Sequence, residues 1–317
     1  MQSASDTDFV FSVCLPLLQT AQNSDGGWGF HSGSPSRVEA TCWALLSLIH
    51  LEPSNEQHET GFRFLRGTQL PDGSWPSSAE QSVGCWATSL ACWVLESDPA
   101  SREAVAAGLN WICKDLPRGP SLFQRVISSI NRRNKVVAQD ESLQGWGWTP
   151  DTASWVEPTA FALIALDQAP KELLPNGAGK RCQSAKALLY NRMCREGGWN
   201  CGNPMVYGVP GDPLVEPTVW ALLALRNESQ RPEVAKSLAW LEKSIPTTLG
   251  AGSLALAKIC FETFAKEWPP NAPDLKDLYA KNEFLASIPV LAWTCLALGA
   301  KTIWPGTKAV VCTDAKN

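Results

Sequence analysis

Gln144-Gly145-Trp146-Gly147, followed by Trp155-Val156-Glu157-Pro158-Thr159 and an apolar run from Ala160 to Leu166, decides how this chain reads. It is a glycine-tryptophan turn, a short loop and then an apolar helix. The pattern recurs at Gly198-Trp199 with Val215-Glu216-Pro217-Thr218-Val219-Trp220 and at Asp25-Gly26-Gly27-Trp28 with Val38-Glu39-Ala40-Thr41-Cys42-Trp43. A fourth copy is Asp72-Gly73-Ser74-Trp75 with Trp86-Ala87-Thr88. The turn tryptophan stands eleven residues before one helix-start column in three copies: Trp28 to Glu39, Trp75 to Trp86, Trp146 to Glu157. The remaining copy, Trp199 to Glu216, is six residues longer. Repetition at this period marks an architecture of stacked helical units.

Between the turns, apolar residues recur at helical spacing and predict pairs of helices. The pairs are 9–22 with 37–51, 56–68 with 82–96, 101–114 with the apolar run 160–166, 180–193 with 215–226, 232–243 with 250–264, and 275–284 with 288–298. In each pair the first helix is more polar and the second apolar nearly all round, hence buried on every side. Six apolar helices inside six amphipathic ones predict an all-α, closed (α/α)6 toroid with negligible sheet, since an open array would leave the inner helices exposed. The expectation is one domain over 1–317, with repeats at about 9–300, an insertion at about 115–143 holding one more helix over 122–137, and a surface strap over 301–317.

Bulk composition narrows the partners. Net charge is −4 and no basic cluster exceeds Arg132-Arg133-Asn134-Lys135, which argues against nucleic acid. Eleven cysteines, an odd number, sit largely in apolar helical runs and lack the spacing of a disulfide framework. Reduced thiols in a cytoplasmic protein are expected. Met1 to Asp8 is polar and acidic, unlike a secretory signal. No apolar run reaches the ~18 residues of a membrane span, so a soluble chain with at most peripheral membrane contact is expected.

The turns carry glycines for tight or positive-φ backbone and tryptophans whose indole N–H needs an acceptor. Asp25 and Asp72 precede the turns and read as turn-formers. Pro158 and Pro217 suit the first helical position, which puts Glu157 and Glu216 at helix caps on one rim. With Glu39 they form one column of the repeat. Carboxylates converging there would raise at least one pKa by desolvation and mutual repulsion, and a neutral acid near pH 7 suits alkene or epoxide protonation. The alternative is architectural: each glutamate accepts backbone N–H groups at a helix start. Trp43, Trp86, Phe161, Trp220 and Trp293, on or near the first turns of inner helices, either line a cavity whose π-faces steady a carbocation or plug the ring. Arg125, Arg132 and Arg133 would meet a diphosphate or simply solvate the insertion.

Phe64-Leu65-Arg66-Gly67-Thr68-Gln69-Leu70-Pro71-Asp72-Gly73-Ser74-Trp75 resembles the glutamine-tryptophan motif of the squalene-cyclase and protein-prenyltransferase superfamily, and the stretch from Leu18 to Trp28 resembles it nearly as well. The resemblance covers about residues 9 to 300 and implies a terpenoid cyclase-like toroid. Class II cyclases of that superfamily protonate an alkene with the middle acid of an Asp-x-Asp-Asp-Thr-Ala motif. Laid over it, Glu157 takes the acid's place, Pro158 the following aspartate's and Trp155 the first one's, so one carboxylate of three is kept. Zinc-dependent prenyltransferases need an Asp, Cys and His set from later repeats, but His31, His50 and His58 all fall in the first fifth of the chain. Cys194 and Cys201 have no histidine after them, so neither metal nor cofactor is expected.

The resemblance implies an isoprenoid-handling enzyme, a single-ring relative of class II terpene cyclases working by acid-initiated cyclisation on a hydrophobic isoprenoid-like molecule. Two alternatives stay open. One is a non-catalytic ring that binds a lipid, a protein partner or a second copy of itself, as a prenyltransferase β subunit does. The other is a carbohydrate-active α/α toroid. A large apolar cavity would favour the first reading, and a plugged one the binding ring.

Overall fold

Each glycine-tryptophan turn is clasped to the inner helix it precedes by a threonine. The backbone N–H of Trp28, Trp75, Trp146 and Trp199 donates to the Oγ1 of Thr41, Thr88, Thr159 and Thr218 at 2.8–2.9 Å. The hydroxyl donates back to the same tryptophan's carbonyl at 3.1–3.4 Å. At the other end of each residue, the indole Nε1 donates to the carbonyl of Leu18, Leu65, Ile112 or Leu189 at 2.6–2.8 Å. These carbonyls close the outer helices, so each tryptophan rivets an outer C-terminus to an inner N-terminus.

The computed structural model describes residues 5–52, 56–114, 140, 142–248, 250–281, 287–299 and 303–304. Its first outer helix, α1, runs through Asp6–Phe9, a π-helical segment Val10–Cys14, and Leu15–Thr20. Pro16 has no N–H for a regular turn, and the backbone widens just before it. The chain then alternates inner and outer helices: α2 Val38–Leu51, α3 Glu56–Thr68, α4 Ala87–Leu95, α5 Arg102–Lys114, α6 Val156–Gln168, α7 Ala178–Asn191, α8 Val215–Ala224, α9 Pro232–Ser244, α10 Ala251–Thr263, α11 Leu275–Lys281 and α12 Ile288–Gly299.

The even-numbered helices form the inner ring. Each packs on the next, from α2 to α4 and so on to α12, and α12 packs back on α2, closing it. Ser47 of α2 donates to the carbonyl of Ala292 in α12 at 2.8 Å across that seam. Outside, α3, α5, α7, α9 and α11 each cover the inner helix before them, and α1 covers α12. The fold is therefore the all-α toroid that the periodicity predicts.

The starts of four inner helices, α12, α2, α4 and α6, are tied loop to loop around one rim, so these helices run the same way. Backbone N–H groups of Ile288, Val38, Trp86 and Val156 donate to the carbonyls of Phe30, Ser77, Trp148 and Cys201 at 2.7–3.2 Å. Each acceptor stands two residues after the turn tryptophan of the neighbouring repeat. These bonds meet helix-start donors that would otherwise be orphaned, and no side-chain cap forms at α2, α6 or α8.

Several sequence expectations shift. Residues 82–86 are loop rather than the start of α4, since Trp86 N–H is committed to the next repeat. Pro158 and Pro217 occupy the third helical position rather than the first, still within the turn whose N–H groups lack helical partners. The six extra residues of the fourth repeat make a small hairpin, Met205–Val206 against Val209–Pro210, turned by Tyr207 and Gly208 at positive φ. Of the expected surface strap, Ile303 and Trp304 are described and both are buried, Trp304 stacking on Trp93 at 5.6 Å. The remainder of the strap, the expected helix over 122–137, and Arg125, Arg132 and Arg133 lie outside the described residues. No helix among the described residues is long and apolar enough to cross a membrane.

Candidate active site

Three inner helices carry an aromatic ring four residues after the column glutamate: Trp43 after Glu39, Phe161 after Glu157, and Trp220 after Glu216. Residues four apart share a helix face. The three rings meet at the centre of the toroid, with centroids 4.8 Å apart for Phe161 and Trp220, 5.2 Å for Trp43 and Trp220, and 6.2 Å for Trp43 and Phe161. Trp293 joins them at 5.6 Å from Trp43. The glutamates therefore stand about one turn, or 5.4 Å, nearer the rim, over a floor of aromatic rings.

That floor is filled. Trp43, Phe161 and Trp220 are 2%, 5% and 4% exposed and touch one another rather than an open space. Of the five aromatics expected to line a cavity, four form this plug. Sequence could not separate the two outcomes, because a ring lining a void and a ring filling it occupy the same helix face. Trp86 differs. It stacks on Phe161 at 5.3 Å, meets Trp148 edge-on at 5.2 Å, and lines an open rim cleft of about 520 Å³ with Ser77, Val83 and Cys85.

A second rim cleft, also of about 520 Å³, is lined by Glu157, Glu216, Cys201, Trp240 and Ser253 among others. Glu216 accepts a hydrogen bond from Ser253 Oγ at 2.9 Å. Half-buried Glu157 makes no side-chain hydrogen bond among the described residues. Burial pushes its carboxyl up to about 7, and the charge of Glu216 adds to the shift. This is the pairing the repeat column predicts for these two residues. Neither takes the capping role that the architectural alternative required: Val156 N–H at the start of α6 is met by the Cys201 carbonyl, and Glu216 accepts from Ser253 instead.

Glu39 is raised to about 7 as well, by burial, but it does not share that cleft. Its charge acts instead on the thiols of Cys42 and Cys85. The indole of Trp43 lies near enough to favour the Glu39 carboxylate, although Trp43 Nε1 forms no hydrogen bond of ordinary geometry. So the column brings two carboxyls together and holds the third across the mouth. A raised pKa alone does not mark the site: Glu96, near the far end of the ring, is lifted to about 8 by burial, with its Oε1 unpartnered. What distinguishes Glu157 is a raised carboxyl that opens into a cleft beside a second carboxylate.

Asp25 and Asp72 are turn-formers, as expected. Asp25 Oδ1 accepts from Gly27 N–H and Ser36 Oγ at 2.9 and 2.8 Å. Asp72 Oδ1 accepts from Ser74 N–H and Oγ at 3.0 and 2.6 Å.

The closed ring of inner and outer helices is an α/α toroid, and comparison with known proteins places its fold among those of terpenoid cyclases. No family model matches the chain. Drimenyl diphosphate synthase of Streptomyces showdoensis is 29% identical over 257 residues, covering 68% of this chain and 46% of that enzyme. Lanosterol synthase of Mus musculus is 39% identical over 78 residues, covering 21% of this chain and 10% of that enzyme. Among solved structures, a variant of the type II terpene cyclase MstE from Scytonema, in complex with geranylgeranyl dihydroxybenzoate, superposes with a TM-score of 0.57 at 14% identity. That superposition covers 92% of this chain and 96% of MstE. ent-Copalyl diphosphate synthase from Streptomyces platensis superposes with a TM-score of 0.51 at 14% identity, covering 83% of this chain and 50% of that one. The chain is similar in sequence to drimenyl diphosphate and lanosterol synthases, and it shares its fold with type II terpene cyclases. It spans less than half the length of the curated relatives it matches.

Proposed function

We propose that this ring supplies the proton-donating acid of a class II terpene cyclase, with Glu157 as the acid and a linear polyisoprenoid as substrate. The observation that carries the reading is the Glu157–Glu216 pair in an open cleft above an aromatic floor. Burial and the neighbouring carboxylate keep Glu157 partly protonated near pH 7, as a general acid must be. Glu216, tethered by Ser253, sets that protonation. The rings of Phe161 and Trp220 lie beneath the place where positive charge would first develop.

The chemistry needs no cofactor. Proton addition to a terminal double bond opens a cascade of ring closures, and proton loss ends it, so the net change is an isomerisation. Because the ring's centre is filled, substrate lies across the rim rather than through the toroid. The drimenyl diphosphate synthase and MstE likenesses support an isoprenoid ligand over a sugar. The filled centre favours the rival reading, a ring that binds a lipid, a protein partner or a second copy without turnover.

Deuterium labelling separates them. Farnesyl diphosphate, geranylgeranyl diphosphate and squalene, each incubated with the protein in D₂O, are followed by mass spectrometry. Acid-initiated cyclisation gives an isomeric product that carries one deuterium in place of hydrogen at the first-protonated carbon. Unchanged substrate throughout, or a product without label, refutes the reading.

A further inference from the structure

We propose that Glu39 is the base that ends the cyclisation Glu157 begins, taking the last proton from the cationic product on the opposite side of the same mouth. The proposal rests on the reading above and adds a second catalytic residue to it.

Glu39 stands over Trp43 as Glu157 stands over Phe161, and those two rings belong to one cluster with centroids 6.2 Å apart. The two carboxyls therefore face one mouth at one height. Around the inner ring α2 is two helices from α6 and opposite α8, so Glu39 is the carboxyl farthest from the acid pair. It flanks the other rim cleft: Val38 beside it donates its N–H to Ser77 of that cleft's wall, and its charge reaches Cys85 there. Trp86 and Phe161, stacked at 5.3 Å, lie between that cleft and the acid. A chain spread over this floor has an acid at one end and a carboxylate at the other.

Their neighbours suit opposite duties. Glu157 has a like charge beside it, which favours the neutral form that gives a proton. Glu39 is raised by burial, and against that rise it has an indole donor one turn below, which favours the carboxylate that takes one. Trp43 Nε1 is buried with no partner of ordinary geometry, so it stays available to a carboxylate that draws closer.

The steps balance. The O–H bond of Glu157 breaks and its proton adds to the terminal alkene carbon. Carbon–carbon bonds then form as the positive charge migrates. A C–H bond next to the final cationic carbon breaks, its electron pair becomes the product's double bond, and its proton moves to a Glu39 carboxyl oxygen. Exchange with water at the open mouth then reprotonates Glu157 and deprotonates Glu39, with no other reactant.

The test compares wild type, Glu39→Gln, Glu39→Asp and Glu157→Gln on the same three polyisoprenoids, with products resolved by gas chromatography and mass spectrometry. Glu39→Gln is expected to consume substrate more slowly and to shift the product from the wild-type alkene to water-captured alcohols or displaced alkenes, by tenfold or more in ratio. Glu39→Asp should recover part of the wild-type alkene. A Glu39→Gln product mixture identical to wild type overturns the proposal, whatever happens to rate or melting temperature. Glu157→Gln reports separately on the reading beneath it: if that variant matches wild type, or wild type leaves every substrate unchanged, the reading fails and the proposal falls with it.

Discussion

Replacing Thr159 with valine tests whether the threonine clasp builds the ring. Thr159 is fully buried; its hydroxyl is the acceptor for Trp146 N–H at 2.9 Å and donates to the Trp146 carbonyl at 3.3 Å. Valine keeps the shape and removes both bonds. The carbonyl keeps a partner, because Trp155 N–H also donates to it at 2.9 Å. The Trp146 N–H does not, and an orphaned buried donor costs about 1–3 kcal/mol. An added buried methyl returns ~0.8 kcal/mol, so the net loss is about 0.2–2 kcal/mol. At ~2–4 °C per kcal/mol for a large domain, the melting temperature should fall, by up to roughly 8 °C. Thr159→Ser retains the hydroxyl and should lose less. Scanning calorimetry of the two variants beside wild type decides it. A valine variant that melts at or above the serine variant would refute the clasp as the element holding turn to helix.

Gly26→Ala should destabilise more than an ordinary surface change, because Gly26 sits at φ 91° and an added Cβ would press on the Thr60 carbonyl of α3; a melting temperature equal to wild type would contradict this. Denaturing, non-reducing thiol titration should find nearly all eleven cysteines free, as the ten described ones are; two or more disulfides would contradict it. Burial lifts the folded Glu157 carboxyl from the ordinary 4.5 to about 7, so the folded state binds more protons and this group's contribution to stability is present below pH 4.5 and lost as pH rises to about 7. Glu157→Gln should therefore gain melting temperature relative to wild type across that window and hold a constant difference above it; parallel curves would show the carboxyl is not perturbed.

Much of the fold was legible because it rests on periodicity. Helical spacing from Val38 to Leu51, or from Val156 to Gln168, with apolar residues on every face, allows only a buried inner helix. The turn tryptophans were legible as indole donors in need of an acceptor, though not as rivets between outer and inner helices. The threonine column was visible in Val-Glu-Pro-Thr, yet its task was hidden, because its partner is backbone thirteen residues away at Thr159 and nineteen at Thr218, and no side-chain pattern reports that. The capping alternative for the glutamates failed for a related reason: Val38 and Val156 find their acceptors, the Ser77 and Cys201 carbonyls, in another repeat. The pairing of Glu157 with Glu216 was legible, since adjacent inner helices bring equal columns together. That Glu39 stands apart follows only from ring closure, which sets α2 across from α8. Closure also explains the filled centre, where Trp43, Phe161, Trp220 and Trp293 converge from four helices.

The central claim is that Glu157 delivers the first proton, and turnover of Glu157→Gln beside wild type, on whichever polyisoprenoid wild type cyclises, tests it most directly. Glutamine keeps the size and cannot give the proton, so the rate should fall by at least the ~10²–10⁴ of a lost general acid, with a melting temperature no lower than wild type. A variant that melts early yet cyclises substrate at the wild-type rate would show that Glu157 is architectural, and that this ring is a binding scaffold.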